Sequence, residues 1–158
     1  MQVSTLEIPM TTKGVSKFSV KKNSGASMEP WFFYAQRHDY FISFAALYQT
    51  DEIHAITFWL LNIDDIKTGE TYDLKNPGSV SDSSVLYTES SSDSGRPINS
   101  GKIKMEHYDL AGQLIKASFD FLATSTTGVE NLISGYVSID GFANSVPLDI
   151  QEKFKNRR

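Results

Sequence analysis

The sequence predicts an all-β domain, an antiparallel β-sandwich of about eight strands. Three observations lead to this prediction. Short segments rich in β-branched and aromatic residues alternate apolar with polar side chains, turn signals return every 8–12 residues or so, and almost no helical period is present. An up-and-down, lipocalin-like β-barrel is the alternative, because it is built from strands of the same kind.

The other strands are expected to be arranged around one central strand, residues 53–63. Successive side chains of a strand point to opposite faces of its sheet. Both alternating sets of this strand are mainly apolar, with Trp59 and Leu61 in one set and Phe58 and Leu60 in the other. The strand is therefore expected to need cover on both sides.

Seven further strands are predicted around it. Residues 113–124 give the clearest one-sided pattern, with apolar side chains on one face and Lys116, Ser118 and Asp120 on the other. The remaining strands are assigned to residues 15–20, 30–36, 40–48, 85–89, 102–108 and 132–142.

The chain length fits a single domain, since domains commonly contain about 100–150 residues. We assign the β domain to residues 15–146, a loose lead-in to residues 1–14, and a tail to residues 147–158. The tail can begin a short helix at Leu148 and ends in basic residues. The serine-rich stretch 79–95 is predicted to be a long, mobile surface loop, because small polar residues bury little apolar surface.

Composition excludes several classes of function. A net charge of −4 and a pI near 5.3 provide no basic surface for nucleic acid. The absence of cysteine removes disulfides and thiol chemistry. No stretch approaches the roughly 20 apolar residues of a membrane span, and no signal sequence stands at the start of the 158 residues.

No catalytic constellation is recognisable, so we expect no enzyme and no cofactor. The three histidines are widely spaced, and no serine lies in a Gly-x-Ser-x-Gly elbow. The densest carboxylate group consists of Asp64, Asp65, Glu70 and Asp73, and such oxygen ligands could hold Ca²⁺. Their spacing does not match a calcium-binding loop, and a solvated acidic turn is the simpler interpretation.

Aromatic residues are the candidate ligand-binding or partner-binding residues: Trp31, Phe33, Tyr34 and Trp59. Exposed rings can form a stacking platform for sugars or an anchor for a protein partner. In the run from Trp31 to Tyr34, rings must point to both faces of the sheet. Either a further layer covers the outer rings, for example the N-terminal segment and the tail after Phe142, or something binds there. The sequence favours the further layer.

Two stretches resemble a Bacteroidetes-type family of small uncharacterised lipoproteins. Gly69-Glu-Thr-Tyr-Asp-Leu74 is similar to the Gly-x-Tyr-x-Leu element that follows the central strand of that family. The segments beginning at Gly101, Gly112 and Ser134 resemble its closing pattern, which includes Phe119-Asp-Phe-Leu-Ala123. The resemblance extends from about Trp31 to Phe142. It implies a secreted, lipid-anchored β domain of unknown function, and it brings no catalytic residues.

These observations lead to a functional hypothesis: a non-enzymatic binding or interaction module of the bacterial cell envelope. Its partner would be a protein, a glycan or a small molecule, and any lipid anchor would lie upstream of the 158 residues given. The alternative is a carrier of a small apolar ligand, held in the cavity of a closed barrel.

Overall fold

The computed structural model describes residues 17–48, 50, 52–78 and 81–142. The predicted lead-in at residues 1–14 and tail at residues 147–158 lie outside the described residues. Nine strands are present in the described part of the chain. They are β1 (Lys17–Lys22), β2 (Phe32–Arg37), β3 (Phe41–Leu47), β4 (Ala55–Leu61), β5 (Thr71–Asp73), β6 (Ser84–Thr88), β7 (Ile98–Asp109), β8 (Leu114–Thr124) and β9 (Glu130–Asp140).

The strands form two open antiparallel sheets. One sheet has five strands in the order β1-β9-β8-β7-β5, and the other has four in the order β2-β3-β4-β6. Every pairing between strands within a sheet is antiparallel. The predicted β-sandwich is therefore confirmed, and the closed barrel that was its alternative is wrong.

Aromatic rings fill the space between the sheets. Phe18 of β1 lies 5.7 Å from Phe33 in the opposite sheet and 5.7 Å from Phe119 in its own, measured between ring centroids. Phe58 of β4 stacks on Phe44 at 4.7 Å and contacts Phe119 at 4.8 Å. All of these rings are buried, so the inner faces of both sheets share one continuous core.

A single glycine lets β1 approach β9. Gly135 pairs with Val20 on one side and with Phe119 on the other. A Cβ at Gly135 would come within 2.2 Å of the Ser19 carbonyl oxygen and 2.7 Å of the Phe119 ring. The position therefore has no space for a side chain, and the edge strand β1 depends on it.

The predicted strands lie close to the observed ones. β4 lies between β3 and β6, as expected for the central strand, with Ile56, Phe58 and Leu60 fully buried on its inner side. β8 has the predicted one-sided pattern, with a buried set from Ile115 to Ala123. The short edge strand β5 was not predicted, because three residues are too few to show an alternation.

The serine-rich stretch requires a correction. It contains β6, one residue earlier than the strand predicted at 85–89, and its Val85 and Tyr87 are completely buried. The turn that follows is held by Asp93, whose carboxylate accepts bonds from the backbone N–H groups of Glu89 (2.9 Å) and Gly95 (3.0 Å). The described part of this stretch is thus a core strand and a hydrogen-bonded turn, rather than the surface loop that its composition predicts.

Candidate binding surface

The outer side of the four-stranded sheet carries no charged residue along its paired strands. Residues directly opposite each other in an antiparallel pair share a face, so the register identifies its members. We call this surface the apolar face; its residues are Phe32, Tyr34, Gln36, Phe41, Ser43, Ala45, Leu47, Ala55, Thr57, Trp59, Leu61, Ser84, Leu86 and Thr88.

The opposite surface of the sandwich is built differently. We call the outer side of the five-stranded sheet the polar face, and its register places Lys17, Lys102, Lys104, Lys116 and Asp120 there. The side chains form local pairs, such as Ser118 Oγ donating to Glu106 at 3.0 Å and Lys102 bonded to Asp73 at 3.0 Å. Such a face is suited to water, whereas the apolar face is not.

Exposure varies along the apolar face from one end of the strands to the other. At one end, Phe32, Leu47, Ala55 and Thr88 form a row across the whole sheet, and all four are buried; we call them the buried row. At the other end, Phe41, Trp59 and Leu61 are only half-buried. The accessible part of the apolar face is therefore the Trp59 end.

A shallow pocket lies at that end. It has a volume of about 240 Å³ and is lined by Phe41, Trp59, Leu61, Pro77, Gly78 and Ser84; we call it the Trp59 pocket. His38 stacks on Phe41 with ring centroids 4.2 Å apart, and its Nε2 lies 3.2 Å from the Ser43 hydroxyl oxygen. The stacked His38 ring therefore holds the Phe41 ring in place at the edge of the pocket.

The structure separates the four aromatic residues that the sequence singled out. Phe33 belongs to the core and is only 5% exposed. Tyr34 and Trp59 lie on the apolar face, on β2 and β4 respectively. Trp31 precedes β2 and is 40% exposed beside the buried row, with its ring 5.9 Å from Phe32. Only Trp59 lines the pocket.

Three residues of the pocket carry a signal in the sequence, although none of them was among the candidate binding residues. Leu61 has the same parity as Trp59 on one strand, and Pro77-Gly78 marks a sharp turn. Phe41 was not among the candidate residues, and the strand predicted at residues 40–48 begins one residue before the observed one. In the structure Tyr40 stands in the preceding turn and is 82% exposed, and β3 begins at Phe41.

Tyr34 shows that water is restricted in the middle of the apolar face. Burial raises the pKa of its phenol above the usual value for tyrosine, since the phenolate ion would be poorly solvated there. A tyrosine on the water-exposed side of a sheet would not experience this cost. The Tyr34 side chain is therefore only partly accessible to solvent.

The acidic residues do not form a metal site in the described part of the chain. Asp64 and Asp65 lie in the turn after β4, Glu70 precedes β5, and Asp73 is within β5. The structure brings no group of three or more His, Asp or Glu residues together among the described residues. The hydrogen bond and the positive charge of Lys102 lower the pKa of Asp73, so this carboxylate is engaged in an ion pair.

A larger cleft, about 610 Å³, opens beside β5, and its polar groups have structural roles. Asp73 and Lys102 form the ion pair that joins β5 to β7. The amide of Asn76 donates to the Ile98 carbonyl oxygen at 3.0 Å and accepts from the Ile98 N–H at 2.8 Å. These contacts fix the β5 edge of the sandwich, so we do not assign the cleft a ligand.

Comparison with protein-family models, with curated proteins and with solved structures finds no match for this chain. In the described ranges no helix is long and apolar enough to cross a membrane. The fold and the surface therefore identify this protein as a small antiparallel β-sandwich with one uncharged outer face.

Proposed function

We propose that this chain is a non-enzymatic binding module of the bacterial cell envelope that receives its partner on the apolar face, at the Trp59 pocket. The observation that carries the proposal is the pocket itself: an accessible, uncharged depression whose walls are Phe41, Trp59, Leu61 and Pro77. Exposed apolar depressions with an aromatic wall are typical of sites that accept an apolar anchor. The envelope assignment is supported only by the lipoprotein resemblance of the sequence.

The chemistry of the pocket favours an apolar side chain of a protein partner. A sugar would need several hydrogen-bonding groups directed at its hydroxyls. Among the described residues that line the pocket, the side-chain polar groups are the Ser84 hydroxyl and the Trp59 indole N–H. The volume of about 240 Å³ is smaller than the roughly 300–1,000 Å³ of most small-molecule sites. One large side chain inserted from a neighbouring surface fits both facts.

The carrier alternative receives no support from this arrangement. It depended on a closed barrel with an internal cavity, and the two sheets are open, with Phe18, Phe44, Phe58 and Phe119 packed between them. An apolar ligand would have to displace these rings.

Site-specific photo-crosslinking tests the proposal. A photoreactive amino acid replaces Leu61 in the pocket, and in a matched variant it replaces Leu132 on the polar face. We expect a discrete protein adduct only from position 61, and only with the envelope fraction of a bacterium that carries this gene. Adding Trp59→Ala should reduce its yield. Equal adducts from both positions would contradict the binding surface, and an adduct found only in the cytoplasmic fraction would contradict the envelope assignment.

A further inference from the structure

The two sheets end in four edge strands, β1, β5, β2 and β6, and three of these edges are protected by the described chain itself. Beside β6, the Val85 N–H donates to the Lys75 carbonyl oxygen at 3.1 Å, and the Arg96 N–H donates to the Tyr87 carbonyl oxygen at 2.8 Å. Beside β1, Met28 exchanges two backbone hydrogen bonds with the strand, of 3.0 and 2.7 Å. The β5 edge has only three residues. Covered or very short edges are the usual protection of a sheet against pairing with another chain.

The fourth edge, β2, lacks these protections in the part of the chain that the structure describes. The strand has six residues, its first five are uncharged, and its register with β3 has no bulge. The His38 N–H donates to the Phe41 carbonyl oxygen at 2.8 Å, and the backbone groups of a strand alternate between its two sides. The N–H and C=O groups of Phe33, Ala35 and Arg37 therefore point away from β3. Among the described residues, none forms a backbone hydrogen bond with them.

Solvent exposure agrees with an open β2 edge. Phe33 and Ala35 point into the core from β2, and each of them is 5% exposed. Val85 and Tyr87 point into the same core from the bordered edge strand β6, and both are 0% exposed. The side chains of all four residues are enclosed between the sheets, so the difference is what an accessible backbone along β2 produces.

The β2 edge is complementary to itself. When two copies align antiparallel about a two-fold axis at Ala35, Ala35 faces its own copy and Phe33 faces Arg37 of the second copy. All three outward N–H groups of each copy then meet outward carbonyl oxygens of the other. On the outer side, Tyr34 lies opposite Gln36 of the second copy, so no two like charges stand opposite each other. A strand of another protein would have to match this register, whereas a second copy matches it by symmetry.

We propose that two copies of this chain pair through their β2 edges, so that the two four-stranded sheets form one antiparallel sheet of eight strands about a two-fold axis at Ala35. Only six residues of each copy pair, and interfaces below about 1,200 Å² belong mainly to weak, transient complexes. The dimer is therefore weak and depends on protein concentration. The inference goes beyond the proposed function and is independent of it, since the Trp59 pocket contains no residue of β2.

Amide hydrogen exchange of the unaltered full chain, followed by NMR, tests the pairing. Spectra are compared between a dilute sample that sedimentation shows to be monomeric and a concentrated one. We expect the outward amides of β2 to exchange at least about three-fold more slowly in the concentrated sample, and the inward amides of Tyr34 and Gln36 to be unchanged. Trp59→Ala should show the same dependence, which separates this inference from the proposed function. Exchange that is independent of concentration would overturn the inference, and so would slow exchange of the outward amides in the monomer.

Disulfide trapping tests the register, because the chain has no cysteine of its own. Opposite residues of a non-hydrogen-bonded antiparallel pair have Cα atoms about 4.5 Å apart, within the range of a disulfide. A mixture of Tyr34→Cys and Gln36→Cys chains should therefore form the mixed disulfide dimer, identified by its mass, in preference to the two homodimers. Each variant oxidised alone is the matched control. Equal yields of mixed and unmixed dimers would contradict the two-fold register at Ala35.

Discussion

The two outer faces of this sandwich differ in charge and in the exposure of their side chains. The polar face carries lysines and carboxylates at its register positions, and its Leu132 is 40% exposed. The apolar face has no charge at any paired position, and its Leu47 is fully buried. An antiparallel sheet needs only one apolar side to form a core. The second apolar side of the four-stranded sheet is therefore additional to what the sandwich requires, and it is the reason to look for an occupant there.

The largest expected effect is a difference in unfolding free energy between truncations of two leucines, one on each outer face. Leu47→Ala should lower the free energy of unfolding by about 2–4 kcal/mol, as truncation of a core leucine does. Leu132→Ala should cost less than about 1 kcal/mol, because that side chain already contacts water. Urea denaturation of both variants measures the difference. Similar values for the two would contradict the burial of Leu47 on the apolar face.

The next effect concerns the inner side of the five-stranded sheet. Gly135→Ala should lower the free energy of unfolding by about 1–3 kcal/mol, because its Cβ would collide with the Ser19 carbonyl and the Phe119 ring. Ser134→Ala, one residue away and directed to the polar face, should remain within about 0.5 kcal/mol of the parent. Hydrogen exchange of β1 amides should show where stability is lost. A small loss of unfolding free energy in Gly135→Ala would indicate that β1 can move away from β9 at little cost.

A charge introduced on each outer face gives a smaller contrast. Thr57→Lys places an ammonium between Ala45 and Leu86, where no carboxylate lies opposite, and should cost about 1–2 kcal/mol. Ser134→Lys places the same charge between Asp120 on β8 and Lys21 on β1. Attraction to the first and repulsion from the second oppose each other, so stability should change by less than about 0.5 kcal/mol. Thermal unfolding measures both. If the two lysines were tolerated equally, the apolar face would have to be open to water at Thr57.

The smallest effect belongs to the polar face. Lys102 holds the pKa of Asp73 below its usual range, so the ion pair stabilises the fold above the unfolded-state pKa of about 3.9. That contribution is lost as the pH falls through the lower, folded-state pKa. In Lys102→Met we expect the Asp73 pKa, followed by NMR, to rise toward the usual value. The stability of parent and variant should converge in acid. An unchanged Asp73 pKa would show that the pair does not persist in solution.

The sequence predicts the fold well because alternation is a local property. In residues 113–124 the alternation of apolar and polar side chains identifies the buried side. The two-sided apolar pattern of residues 53–63 correctly places β4 between two neighbouring strands. The candidate site is harder to predict. In the run from Trp31 to Tyr34 both parities are aromatic, so the sequence cannot tell which rings face the core. Only the pairing of Phe33 with Ala46, beside Phe44, decides it.

The Trp59 pocket depends on contacts between distant parts of the chain. Trp59 and Leu61 come from β4 and Phe41 from β3, whereas Pro77 and Gly78 come from the turn after β5. The sequence identifies Pro77-Gly78 as a turn but does not say which strand the turn approaches. The burial of the serine-rich β6 was underestimated for a related reason, since its composition conceals the two large side chains, Val85 and Tyr87, that enter the core.

NMR titration of the ¹⁵N-labelled protein with N-acetyl-leucine amide and N-acetyl-tryptophan amide tests the central claim most directly. These probes present single apolar side chains without a protein partner. We predict saturable shifts of the Trp59 indole and of the Phe41 and Leu61 amides, with no comparable shifts at Leu132 or Ser134 on the polar face, and loss of the response in Trp59→Ala. Shifts of equal size on both faces, or none that saturate at the Trp59 pocket, would contradict the assignment of the apolar face as the binding surface.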